Sequence, residues 1–118
     1  MQKHQVESAS VLTEDGITLI AFDSNPYILF QFKDKFDAQE KELGMDQIYI
    51  EYGSQSSSQY GGIEKVVFEN NTIKVTVHQE SLISKTIGET KFLFAFRKRP
   101  ECWNKILIFF SQHTHLAS

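Results

Sequence analysis

The sequence has a single cysteine, Cys102, among 118 residues, so it forms no intramolecular disulfide and no four-cysteine zinc site. It has no apolar run near the ~18 residues that a membrane helix needs. The polar stretch Met1–Ser10 has no apolar core of the kind a signal peptide carries. A reducing cytoplasm is therefore the expected compartment, with no membrane contact. Charge of one sign is also scarce: 12 basic against 15 acidic residues leave a net charge of −3. A general nucleic-acid binder would show a basic face, and here the only basic run is Arg97-Lys98-Arg99, read as a solvated strand end.

Signatures of chemistry are missing as well. His4, His78, His113 and His115 show no spacing that would converge three or four ligands on zinc, so no metal and no cofactor is expected. Ser56-Ser57-Ser58 has no glycine-flanked elbow to expose a nucleophile, and Cys102 beside Trp103 reads as packed. Residues 53–62 contain glycine but lack the lysine and spacing of a phosphate-binding loop. The carboxylates of residues 34–46 are interleaved with Lys33, Lys35 and Lys41, as on a solvated helical face. The sequence is read as a binding protein rather than an enzyme.

Core material is plentiful: 41% hydrophobic residues, with ten Phe, four Tyr and one Trp. Residues 1–118 are expected to form a single domain, long enough to bury roughly two-thirds of its unfolded surface. A strand is expected over Val6–Thr13, followed by the tight-turn pair Asp15-Gly16 and a near-solid apolar strand, Ile17–Phe22. Ser24-Asn25-Pro26 breaks it, and Tyr27–Phe32, apolar on both faces, reads as a central strand. Gln47–Tyr52 alternates, with Ile48, Ile50 and Tyr52 on one side and Gln47, Tyr49 and Glu51 on the other. The segment Gly53–Gly62 reads as a flexible hairpin connection with Tyr60 as a candidate aromatic anchor. The hairpin Lys65–His78 turns at Asn70-Asn71, and Phe92, Phe94 and Phe96 mark a further strand. Residues 80–89 read as irregular.

Helix is expected in two places. Phe36, Glu40 and Leu43 have helical spacing before Gly44, which gives a short helical segment near 34–43. Trp103, Ile106, Leu107 and Phe110 fall at i, i+3, i+4 and i+7 after Pro100, which favours a C-terminal helix near 100–112. Ile106–Phe110 also fits a buried strand, and that alternative stays open. The fold class expected is α+β, mainly an antiparallel β-sheet.

One stretch is more specific. Leu43-Gly44-Met45-Asp46-Gln47-Ile48-Tyr49-Ile50-Glu51-Tyr52, with Gln55 and then Tyr60-Gly61-Gly62-Ile63, resembles the central motif of the tenth immunity-protein family of bacterial polymorphic toxin systems. Gly53-Ser54 departs from the acidic or amide pair of that pattern, so the loop is less acidic than its relatives. The resemblance implies a cytoplasmic protein, encoded beside a toxin, that binds and neutralises it by occlusion, without catalysis. By position it implies Asp46, Tyr49, Glu51, Gln55 and Tyr60 as partner-binding residues, with Gly44, Gly61 and Gly62 shaping the backbone. Two other readings compete. One is a small ligand-binding domain or enzyme with a pocket near Asp46, Glu51 and Tyr60. The other is a β-domain that forms a homodimer by strand pairing.

Overall fold

The computed structural model of the chain describes residues 1–35, 37–44, 47–113 and 116–117. The expected strand at Val6–Thr13 is two strands, β1 (Gln2–Val6) and β2 (Ser8–Glu14), which belong to different sheets. Glu7 is the joint, and its N–H donates to the Asp23 carbonyl at 2.8 Å. β1 is polar and escapes a pattern search. It forms because His4 and Val6 point into the core while its backbone pairs in parallel with a strand some ninety residues away.

From β2 the chain runs as a meander. β3 (Ile17–Asp23), β4 (Ile28–Lys33), β5 (Tyr49–Tyr52) and β6 (Ser58–Tyr60) follow, each antiparallel to the one before. Asp15 and Gly16 both take positive φ, 52° and 76°, the mirror-image turn whose twist suits a hairpin. Between β4 and β5 lies α1 (Ala38–Glu42), started by a capping box in which Asp37 and Glu40 satisfy each other's backbone N–H groups. The loop expected over 53–62 has structure of its own: a 3-10 turn at Gln55–Ser57 and then β6.

The second sheet has the order β1-β9-β8-β7-β10, with β7 (Ile63–Glu69), β8 (Thr72–Val77), β9 (Lys91–Phe96) and β10 (Leu116–Ala117). β7–β8–β9 is antiparallel, whereas β1 with β9 and β10 with β7 are parallel pairs, which the antiparallel expectation did not include. Residues 80–89 are corrected too: α2 (Leu82–Ile87) forms there. Ser81 caps its first turn, accepting from the Ser84 N–H, and Gly88 closes it in the left-handed conformation. Six residues with one cap at each end are too short to give a periodic signal. The run Arg97–Arg99 is exposed, and Arg99 donates to the Asn70 carbonyl and lies 4.9 Å over the Trp103 ring.

The two sheets meet through aromatic rings. Phe22 of β3 packs edge-on against Phe94 and Phe96 of β9, with centroids 5.2 and 5.5 Å apart. The helix at the C-terminal end, α3 (Trp103–His113), fills the remaining space between them. Phe110 touches Phe30 of one sheet and Phe68 of the other, and Trp103 touches Phe68 and Phe96. The buried positions of α3 are Trp103, Ile106, Phe109 and Phe110; Phe109 takes the place that Leu107 had in the expected stripe. Each fully buried Phe contributes roughly 1.5–3 kcal/mol by its apolar area alone.

One polar link crosses the core. Buried His4 of β1 meets the Tyr52 hydroxyl of β5 through Nε2 at 2.7 Å, and its ring stacks on Phe94. Burial pulls the His4 pKa down and outweighs a backbone hydrogen bond with Asn25 that acts the other way. Burial also lowers His113, against the opposing charge of Asp34. Both folded values lie below the unfolded value of about 6.5, so the unfolded chain binds more protons in that window. Stability is therefore full above about pH 6.5 and falls as pH drops toward 5, where most carboxylates are still ionised. Thermal melts at pH 7.5 and pH 5 should show the drop, and His4→Gln should reduce it, leaving the share of His113. An identical slope in that variant would remove His4 from the account.

Candidate functional site

Alternation gives the meander sheet two unlike faces. Ile20, Phe22, Ile28, Phe30, Ile50 and Tyr52 point into the core. The opposite side chains form rows across five strands. One row runs Leu12, Leu19, Gln31, Tyr49, Tyr60, and the next runs Ser10, Ala21, Leu29, Glu51, Ser58. Of these and their neighbours, Leu12, Tyr60 and Tyr27 are 56%, 45% and 42% exposed. A contiguous apolar patch on the outside of a sheet, open to solvent, marks a surface that meets something else, whereas single exposed apolar residues are ordinary.

Glu51 sits within this face and is only 8% exposed. Its two oxygens are held separately: the Tyr27 hydroxyl donates to Oε2, and the Tyr49 hydroxyl donates to Oε1 at 2.5 Å. Both phenols are kept in the donor form. The bond to Glu51 raises the Tyr27 pKa, while burial first and then the bond to Glu51 raise that of Tyr49. The Tyr49 ring also leans on Tyr60, with centroids 5.2 Å apart. Among the described residues no Lys, Arg or His forms an ion pair with Glu51. The result is an anionic acceptor set among phenol rings on an apolar sheet face.

Tyr49, Glu51 and Tyr60 are thus together. Gln55 is not brought to them: it is exposed in the 3-10 turn, where its main-chain carbonyl accepts from the Ser58 hydroxyl. Asp46 lies outside the described residues. Gly44 follows α1 at φ 74°. Gly61 and Gly62, at φ 73° and 80°, carry the chain from β6 into β7 in the left-handed region that L-residues avoid. The Gly61 N–H donates to the Ile48 carbonyl at 2.7 Å, which holds this corner beside β5. Gln59 ties β6 to α2 by accepting from the Ile83 N–H and donating to the Gly61 carbonyl.

Residue-by-residue reasoning passed over Tyr27, Leu12, Leu19 and Leu29. Their signal was the failure of strict alternation in Ile17–Phe22 and Tyr27–Phe32. Tyr27–Phe32, expected to be central, lies between β3 and β5, and the outer side chains of both strands, Leu19, Ala21 and Leu29, are half-buried with no described element packed over them.

Three shallow depressions of 240, 320 and 330 Å³ lie along this face, and Glu51 lines none of them. Of the residues in the alternative pocket reading, Tyr60 lines the first of these depressions, Glu51 lies under two phenols, and Asp46 is outside the described residues. No group of three potential metal ligands converges among the described residues. No described helix is long and apolar enough to cross a membrane.

Comparison with known proteins places the chain in a family. The sequence pattern of the family described as Immunity protein 10 matches residues 5–92, from the end of β1 to the start of β9. The chain belongs to the immunity protein 10 family. No curated protein and no solved structure gives a significant match. Within the matched span lie the whole outer face of the meander and all three tyrosines around Glu51 in this immunity-family chain.

Two substitutions test the construction of the site. Gly61→Ala should cost at least about 1–2 kcal/mol in urea unfolding, the penalty of a left-handed alanine whose Cβ must also displace the Gln47 amide. Tyr49→Phe should cost about 1–3 kcal/mol, because it removes a donor from a buried carboxylate. No change in either would mean that the corner, or the phenol bond, is not formed in solution.

Proposed function

We propose that this protein is a cytoplasmic, non-catalytic immunity protein. It binds the cognate toxin domain of a bacterial polymorphic toxin system and neutralises it by covering the toxin's active site or substrate path. Binding takes place on the outer face of the β2–β6 sheet. The observation that carries this reading is the row from Leu12 to Tyr60, aliphatic and aromatic except at Gln31, exposed at both ends and half-buried between, next to Glu51. Family membership supports the general role, and the face supplies the surface for it.

Occlusion needs a preformed and rigid surface, because ordering side chains on binding costs affinity. A sheet fixed on its inner side by Phe22, Phe30 and Ile50 provides one. Tyrosines add large contact area with few rotatable bonds. The charge is also suited to a basic partner. Glu14, Asp15, Asp23 and Glu51 lie on or beside the face, while its one strand lysine, Lys33, is engaged by Glu40 at 2.9 Å.

Co-expression with the toxin domain encoded beside the gene should restore growth, and the two chains should co-elute on a sizing column. Leu12→Lys, at an exposed position, should abolish protection with little change in thermal midpoint. Lys74→Glu, on the other sheet's outer face, should leave protection intact. Absence of both rescue and complex with the wild-type chain would sink the proposal.

A further inference from the structure

We infer that the partner of the β2–β6 face delivers a cationic side chain, an arginine guanidinium, to Glu51 among Tyr27, Tyr49 and Tyr60. The inference rests on the proposed function and names the chemistry at its centre.

A carboxylate taken nine-tenths out of water is expensive unless it is both hydrogen-bonded and paired with a cation. Glu51 has only the first of these. A carboxylate has about four acceptor positions on its two oxygens. One hydroxyl on each oxygen leaves the others unfilled. The two phenols fix the orientation of the group, so an incoming donor meets a preorganised acceptor. Tyr27 stands on the turn before β4 and remains 42% exposed, so the acceptor it orients lies close to solvent on that side.

The surrounding rings favour the same ligand. Tyr49 and Tyr60 lean together at 54°, and Tyr60 is 45% exposed, so a ring face is available to a cation. A guanidinium is planar, stacks on aromatic faces and donates through a rigid fork, and a lysine ammonium does neither of the last two. The molecule's wider field selects the same sign. On the outer side of the other sheet Lys3, Lys65, Lys74 and Lys91 outnumber Glu69, and none of these lysines forms an ion pair among the described residues. A basic partner is therefore repelled from that sheet and steered to this one.

The test uses the toxin domain encoded beside the gene, the full-length chain and its Glu51→Gln variant, whose amide oxygen accepts from one phenol while its NH2 donates to the other. Surface-binding kinetics should show at least a tenfold faster dissociation for Glu51→Gln, with a thermal midpoint no lower than that of the wild type, since the variant removes an uncompensated buried charge. Tyr60→Ala, at an exposed position, should weaken binding by at least fivefold and serves if Glu51→Gln fails to fold. Arginine-to-methionine substitutions across the toxin surface should include one whose effect disappears in the Glu51→Gln background. Tight wild-type binding that neither variant changes overturns the cation inference and leaves the immunity reading standing. No wild-type binding overturns both. A dimer of the free chain that Glu51→Gln dissolves assigns the cation to a second copy and also overturns the inference.

Discussion

The fold depends first on rings packed across two sheets. Phe22 on one side meets Phe94 and Phe96 on the other, and Phe110 of α3 reaches Phe30 and Phe68 at once. A five-stranded meander alone would have one apolar face and no reason to stay flat or fixed. Closing that face against the second sheet and the helix makes the meander rigid and leaves its other side in solvent. Removing a ring such as Phe110 would cost about 3–5 kcal/mol, a large part of a small domain's total stability.

The period of two in a strand ties core to surface. In β5, Ile50 and Tyr52 are committed to the core, so Tyr49 and Glu51 must face outward. A slip of one residue in that register would bury Glu51 in the sandwich and expose Ile50. Tyr52 adds a second restraint by its hydrogen bond to His4 on the opposite sheet. Placement of the outward carboxylate is thus a consequence of core packing on the reverse side, and the phenols of Tyr27 and Tyr49 then set its orientation.

Much of this was legible in the sequence because it is local. Alternation over residues 47–52 separated the core side from the Tyr49 and Glu51 side, Asp15-Gly16 and Asn70-Asn71 marked turns, and the spacing from Trp103 to Phe110 marked a helix. The rest depends on distant partners. Nothing in Gln2–Val6 announces a strand, since its pairing partner is β9. α2 is built from two caps rather than a periodic face, and β6 is only three residues long. Tyr27 was hidden for a similar reason: its contact with Glu51 spans 24 positions, and only the folded β4–β5 pair brings them together.

The central claim is that the outer side of the β2–β6 sheet is the surface that meets the toxin. Hydroxyl-radical footprinting of the free chain and of its complex with the adjacently encoded toxin domain reads this at the level of side chains. The account predicts that Leu12, Tyr27 and Tyr60, exposed in the free protein, lose reactivity in the complex while Leu82 and Ile108 keep theirs. Protection confined to Leu82, Ile108 or the lysine-bearing sheet, with Leu12 and Tyr60 still reactive, would contradict it.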